Sequence, residues 1–277
     1  MRIRIDLAYD GTDFHGWAVQ PGLRTVQGEV ETAIATVLRL PRVPVVCAGR
    51  TDTGVHARGQ VLHADVADDM LAAVSGRSAD PPLEVLVRRL NGLLPPDVRV
   101  RRLAEAAEGF DARFAALWRR YAYRIADTPG ALDPLRRAHV LVWPRAIDVA
   151  AMNEAAATLT GHQDFASFCR QREGATTIRT LLELGWVRDA DGLVVATVRA
   201  DAFCHTMVRS LVGCLLAVGD GRRPVAWAGE VLRAQARHPA VMVARARGLT
   251  LEEVAYPDDA GLAARAELTR ARRAARG

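Results

Sequence analysis

A chain of 277 residues, half of them hydrophobic, has material for one large core or two of ordinary size, and nothing in its composition suggests disorder over most of its length. It carries a formal charge of +5, and all 37 basic residues are arginine, which excludes chemistry that needs lysine, such as a Schiff base or a phosphate-loop lysine. No apolar run approaches the roughly 18 residues of a membrane span, and residues 1–6 alternate charge with isoleucine, so the expectation is a cytoplasmic protein with no membrane contact.

Residues 2–9 predict a strand with Ile3, Ile5 and Leu7 on one face and Arg2, Arg4 and Asp6 on the other. A loop follows, Tyr9-Asp10-Gly11-Thr12-Asp13-Phe14-His15-Gly16-Trp17, whose Asp-Gly step favours a turn. Thr25 can cap a helix with Val26, Val30, Ile34, Val37 and Leu38 on its apolar side, ending near Pro41. Strands over 43–48 and 60–66, the second with Leu62, Ala64 and Val66 on one face, enclose a polar, glycine-punctuated loop over 48–61. Residues 68–82 read as irregular in part. Leu83, Leu86, Val87, Leu90 and Leu94 then recur at helical spacing until Pro95-Pro96, and 98–103 returns as a strand.

That order (strand, helix, strand, strand, helix, strand) is the split βαβ pattern of ferredoxin-like folds. A looser second copy follows. Residues 119–126 predict a strand with Tyr121 and Tyr123 on one side; Val149, Met152, Ala156 and Leu159 mark a helix that ends at Gly161. Residues 181–188 and 193–200 form a hairpin across Asp189-Ala190-Asp191-Gly192. Met207, Val208, Leu211, Val212, Leu215 and Leu216 belong to a helix apolar enough to be buried, with another helix over 224–236 and a short strand near 249–256.

The expected fold class is therefore α+β, with two tandem ferredoxin-like (RRM-like) subdomains at residues 1–104 and 105–257. Such units can join edge to edge in one extended, mostly antiparallel sheet with a central active-site cleft. Residues 258–277 form a basic tail; 262–277 carry five arginines and one acid and read as a solvent-exposed helix or a disordered segment.

Cys47, Cys169, Cys204 and Cys214 lie far apart with no Cys-x-x-Cys pair or Cys/His cluster, which predicts reduced, buried thiols and no metal site. Between residues 86 and 137 eleven arginines face six acids. Arginine binds phosphate bidentately and stacks on bases, so this density suits RNA, although solvated helix and strand faces also account for part of it.

Asp52 is the centre of the polar loop. With Arg50 beside it and glycines at 49 and 54 that let the backbone bend, its carboxylate is expected to stay ionised, and an ionised carboxylate can attack the anomeric carbon of a sugar. The same features describe a turn aspartate bonded to its own backbone and paired with arginine, so local chemistry leaves both readings open. His56 and Arg58 share the loop, where a histidine serves either proton transfer or loop fixing. Tyr121, in Arg119-Arg120-Tyr121-Ala122-Tyr123-Arg124, offers an aromatic face in a basic surround, as a flipped base requires; the spacing fits equally an alternating strand with its tyrosines inward. Arg209 sits inside the apolar helix, where a charge needs a partner, and Asp52 is the carboxylate that suits it. Asp10 with Asp13, and Asp201 with His205, lack a third metal ligand and suit turns and caps. There is no Gly-x-Ser-x-Gly elbow, dinucleotide fingerprint or His-Glu-x-x-His pair.

The loop Gly49-Arg50-Thr51-Asp52-Thr53-Gly54-Val55-His56-Ala57 closely resembles the catalytic motif of the TruA family of tRNA pseudouridine synthases. Further blocks resemble that family in family order: Tyr9-Asp10-Gly11 through Gly16-Trp17, Thr25-Val26-Gln27, Phe110-Asp111-Ala112-Arg113-Phe114, Arg120-Tyr121-x-Tyr123, Gly161-His162-x-Asp164-Phe165-x-Ser167-Phe168, Phe203-x-x-x-Met207-Val208-Arg209 and Gly248-Leu249-x-Leu251. The resemblance spans about residues 3–257.

What the resemblance implies is an isomerase that breaks the N-glycosidic bond of a uridine, turns the uracil and rejoins it through C5. It implies action at tRNA positions 38–40 in the anticodon stem-loop, no cofactor, and a homodimer in which one tRNA contacts both subunits. Carried over, Asp52 is the nucleophile, Tyr121 stacks on the target uracil and takes part in proton transfer, Arg50 helps extrude the base, and Arg209 pairs with the nucleophile. Base flipping follows physically, because the reacting atoms are inaccessible inside a stacked stem. Attack at the sugar C1′ and attack at the uracil C6 both remain open to a carboxylate.

Thr53, Ala18, Ser210 and Thr250 depart from the alanine, glutamine, asparagine and aromatic residue common in the family. None removes a catalytic group; they bear on loop positioning and substrate range. Two other classes compete. A ferredoxin-like RNA binder without chemistry has no need of Asp52 beside Arg50, and a metal-dependent phosphodiesterase using Asp10, Asp13 and Asp52 would lose activity with a chelator.

Overall fold

The two hydrophobic periods of the sequence reappear as ten strands and seven helices in the computed structural model, which describes residues 1–170 and 176–274. In chain order they are β1 (Arg2–Tyr9), α1 (Val26–Leu38), β2 (Val46–Cys47), β3 (His56–Asp65), α2 (Asp68–Ser75), α3 (Pro82–Leu93), β4 (Val98–Glu105) and β5 (Trp118–Ala126). Then come β6 (Leu141–Val142), α4 (Val149–Ala157), β7 (Gly161–Asp164), β8 (Ile178–Arg188), β9 (Val194–Ala200), α5 (Met207–Gly219), α6 (Trp227–Arg233), β10 (Leu249–Ala255) and α7 (Leu262–Ala274). The fold is α+β, as the element order predicted. Contacts divide the chain into two units, Met1–Leu117 with Leu251–Arg272, and Trp118–Thr250. No described helix is long and apolar enough to cross a membrane.

In the first unit β1 lies between β4 and β3, antiparallel to both, and its alternation buries Ile3, Ile5 and Leu7 completely. Thr25 caps α1, its side chain accepting from Gly28 N at 3.3 Å, and Arg39 ends the helix in the left-handed conformation (φ 55°). The strand expected over 43–48 shrinks to the two residues of β2. Val45 N donates to the buried Glu31 carboxylate (3.0 Å) instead of joining the ladder. Part of the segment expected to be irregular forms α2.

The C-terminal segment is a docked helix, not a free one. Leu262 and Ala266 of α7 are buried, Arg270 donates to Asp111 (2.7 Å), and Arg265 reaches the Ala116 carbonyl. Residues 275–277 of the expected tail lie outside the described residues.

In the second unit the sheet order is β5-β9-β8-β7, antiparallel throughout, with the short β6 parallel to β5. The hairpin turn falls where expected, Asp189 Oδ1 accepting from Asp191 N and Leu193 N while Gly192 takes a positive φ of 82°. Of the residues of α5, Arg209 alone is not buried. The expectation of four reduced thiols is corrected for one pair. Cys169, after the turn at Ala166–Phe168, and Cys204, before α5, form a disulfide with Cα atoms 5.7 Å apart, a partnership that their spacing of 35 residues does not signal. Cys47 and Cys214 are buried and free, and burial pushes the Cys214 thiol up to about 12.

An ion pair pins the far end of β8. Both guanidinium nitrogens of Arg188 reach the fully buried Asp127 carboxylate (2.7 and 2.8 Å), which also accepts from Ile147 N (2.9 Å). The Arg188 hydrogen bonds hold the Asp127 carboxyl below its ordinary range, against the opposing effect of burial. Its contribution to stability is therefore fully present above the unfolded value of about 3.9 and is lost as pH falls through the lower folded value. Because Arg188 is partly solvated, Asp127→Asn is expected to cost about 2 kcal/mol at neutral pH. Denaturant titrations should show that difference constant down to about pH 5 and shrinking below it.

Candidate active site

The polar loop is shorter than its composition suggests. β3 starts at His56, so the turn between strands covers 48–55, and His56 is a buried strand residue. Gly59 is what lets β3 run so early: a Cβ there would lie 2.3 Å from the Glu252 carbonyl of β10. Within the turn Val55 N donates to Asp52 O (3.1 Å), and Gly54 takes a φ of 76°.

The segment 9–17 clamps this turn from one side. Trp17 N donates to Thr51 O (3.0 Å), Gly54 N to Phe14 O (3.3 Å) and Gly11 N to His56 Nδ1 (3.1 Å), while the Tyr9 hydroxyl bonds Thr51 Oγ1 (2.8 Å). The approach requires glycine twice. A Cβ on Gly11 would sit 2.0 Å from Val55 O, and one on Gly16, whose φ is 89°, would sit 3.0 Å from Thr51 O. The backbone carrying Asp52 is thus held on both flanks, and its side chain is left half-buried.

Of the two readings left open for the loop, Arg50 does not follow the one that pairs it with Asp52. It is exposed and makes no ion pair with Asp52 or with any other described residue. Residues two apart in sequence need not converge when the intervening residue, here Thr51, is anchored inward. His56 fixes the loop: Gly11 N–H bonds Nδ1, which places the neutral ring's proton on Nε2. Asp10 Oδ1 lies 3.0 Å from the same nitrogen and pairs with it when the ring is charged. Burial works against the ionised Asp10 carboxyl, but hydrogen bonds from Thr12 N and Oγ1, with a smaller contribution from the neighbouring His56, outweigh it and hold it below its ordinary range. Asp10 is therefore the turn residue that its Asp-Gly setting suggests.

Tyr121 and Arg209 belong to the second unit. On β5, Tyr121 and Tyr123 are buried on one face, and on the other Arg120 and Arg124 are partly exposed about the buried Ala122. Tyr121 meets Phe203 edge to face, ring centres 5.2 Å apart. The Tyr123 hydroxyl donates to Arg245 O (2.7 Å), and burial pushes it well above its ordinary range despite the nearby Arg209 and Arg245 charges. Arg209 is half-buried; its Nε donates to Ala244 O (2.7 Å), and its own carbonyl accepts from Ala244 N (3.0 Å). That doubled contact is possible because Gly213, one turn on, presents no side chain to the 242–244 segment. Among the described residues no three His, Cys, Asp or Glu side chains come together as metal ligands.

A tRNA pseudouridine synthase A of Streptomyces griseus is 59% identical over 268 residues, which cover 96% of this chain and 92% of that protein. The chain belongs to the tRNA pseudouridine synthase A family. Relatives of the same name are 59% identical in Frankia casuarinae (98% of this chain, 95% of that protein) and 51% identical in Mycobacterium leprae (98% and 94%). A family model described as tRNA pseudouridine synthase matches residues 155–257. Pseudouridine synthases are isomerases, so tRNA pseudouridine synthase A membership makes the chain an enzyme of that class. Three of the clamping residues, Gly11, Gly16 and Tyr9, stand in a block whose resemblance is legible but whose local chemistry says only "turn". Gln60 has a signal of its own, an amide in phase with Leu62 and Ala64 on the apolar face of β3.

Proposed function

We propose that this enzyme converts uridine to pseudouridine at positions 38–40 of the tRNA anticodon stem-loop, in the cytoplasm, as a homodimer in which one tRNA contacts both subunits, and without a cofactor. The observation that carries the reading is the Asp52 turn. Its backbone is locked on both flanks by buried hydrogen bonds and the residue itself is half-buried, in a chain 59% identical to named synthases over nearly its full length.

In this reading the target nucleotide leaves the stem, because neither face of a stacked uridine can be reached in place. Exposed Arg50 takes the space or the phosphate that the base vacates, and the Tyr121 ring stacks on the uracil. Asp52 forms a covalent adduct with the nucleoside, the N1–C1′ bond breaks, and the base turns to present C5. A C5–C1′ bond forms, the bond between Asp52 and the nucleoside breaks and returns the free carboxylate, the proton on C5 leaves to solvent and N1 ends protonated, so atoms balance with no redox change. Arg209 pairs with the nucleophile, the role the family motif gives it.

The regional claim is tested with anticodon stem-loops carrying a single uridine at 38, 39 or 40, or only elsewhere, followed by chemical mapping of pseudouridine. Conversion confined to 38–40 is expected; conversion mainly at other positions overturns the assignment. Tyr121→Phe separates stacking from proton transfer. It should leave the tRNA Kd within about twofold, because the ring remains, and lower single-turnover rate by about 10²-fold if the hydroxyl moves a proton. An unchanged rate confines Tyr121 to stacking.

A further inference from the structure

We infer that Tyr9 and Gln60 are positioning residues for the nucleophile: with Thr51 they form a buried hydrogen-bond relay that sets the backbone leading into Asp52. The inference rests on Asp52 being the nucleophile, as proposed above.

Gln60 pairs with Leu7 across β1 and faces the core, fully excluded from solvent. A primary amide there is costly unless both N–H groups are satisfied. Its Nε2 donates to Gly49 O (2.8 Å) and to the Tyr9 hydroxyl (3.3 Å), and its Oε1 accepts from Val61 N (3.3 Å). The Tyr9 hydroxyl in turn bonds Thr51 Oγ1 at 2.8 Å. One amide therefore ties down Gly49 and, through Tyr9, Thr51, the third and first residues before Asp52. Tyr9 and Thr51 are themselves buried.

The ladder is bent to bring these groups together. Leu7 pairs with Gln60, but Tyr9 pairs with Ala57, so Arg58 and Gly59 together oppose Ala8. Such a bulge re-aims the side chains on either side of it. An apolar trio of similar volume would fill the same space without burying polar groups. What the polar trio adds is direction, since each bond fixes one backbone or side-chain atom of the 49–51 segment. Catalysis is sensitive to sub-ångström displacement of a nucleophile, whereas affinity for a nucleic acid comes mainly from phosphate contacts spread over its backbone.

The test measures single-turnover isomerisation, KM and tRNA Kd for Tyr9→Phe, Thr51→Val, Thr51→Ser, Gln60→Met and the double variant Tyr9→Phe/Thr51→Val. Tyr9→Phe and Thr51→Val should each lower kcat by about ten- to a hundredfold, with KM and Kd within about twofold. Thr51→Ser, which keeps the hydroxyl, should recover kcat to within about threefold of wild type, and the double variant should be no worse than the poorer single, because both remove the same bond. Gln60→Met should behave as Tyr9→Phe does; if it fails to fold, the other variants, each altering few atoms, decide the matter. A kcat within about twofold of wild type in both Tyr9→Phe and Thr51→Val, or a loss carried by KM alone, overturns the inference. Wild type and Asp52→Ala run alongside keep the two readings apart. An inactive wild type or an active Asp52→Ala overturns the functional reading, whereas a silent Asp52→Ala beside a fully active Tyr9→Phe overturns the relay alone.

Discussion

Asp52→Ala should abolish turnover, lowering isomerisation of tRNA by about 10⁴-fold or more while the tRNA Kd stays within about threefold. The size of the effect follows from the role. A covalent nucleophile has no substitute within the site, whereas groups that bind or orient the substrate leave residual rate when removed. The selectivity follows from the structure. The turn is held by backbone contacts from Trp17, Phe14 and Val55 and by the buried Thr51 side chain, none of which involves the Asp52 carboxylate. Those contacts should persist when the carboxylate is lost, so the loop backbone is expected to keep its path. A variant that keeps more than about a hundredth of the wild-type rate would remove Asp52 from the covalent step.

Gly213→Ala should destabilise the protein by about 2–4 kcal/mol, opposite in sign to helix propensity, which favours alanine over glycine by about 1 kcal/mol. The added Cβ would lie 1.8 Å from Met242 O and 2.8 Å from its carbonyl carbon, and both are backbone atoms that cannot swing aside. Relief requires the 242–244 segment to move off α5, which breaks the two hydrogen bonds between Arg209 and Ala244. Chemical denaturation should report the stability loss, and the folded fraction should turn over more slowly than wild type because Arg209 has lost its support. Stability equal to or above wild type would show that the segment yields freely and that Arg209 is not held by it.

The elements best read from the sequence are those whose side chains repeat with one period and whose ends carry their own chemistry. α1 starts at the Thr25 cap, α3 starts with Pro82 and stops before Pro95, and the β8–β9 hairpin turns on Asp189 and Gly192. Elements set by distant partners are legible only in part. β2 is cut short by the Glu31 carboxylate, and the turn at 48–55 is shorter than its polarity implies because β10, some 190 residues on, pairs with the polar start of β3. β7, Gly161–Asp164, is polar at every position after its glycine and shows no alternation to find. α7 hides its buried face behind alanine, too small to mark a stripe.

The candidate site divides in the same way. Asp52 stands out because a carboxylate between glycines and arginine is unusual chemistry between two strands. What makes it a defined position is invisible locally: the clamp runs from residues 9–17 to 49–56, about 40 positions away, and its members look like ordinary turn and strand residues. Arg50 shows the limit of nearness in sequence, since of the two readings its position left open, pairing with Asp52 is not the one that the exposed side chain adopts. Gln60 shows what can be recovered, because a polar residue in the apolar phase of a strand marks a place where hydrogen bonding, not burial, decides the residue.

The most direct measurement of the central claim is tritium release by the wild-type protein from tRNA labelled at uridine C5, with EDTA present and the product nucleosides analysed in parallel. Isomerisation through C5 expels that hydrogen, so release should match pseudouridine formed one for one, survive the chelator and leave the strand intact. Strand cleavage, dependence on a metal, or tRNA binding with no release at all would contradict the account.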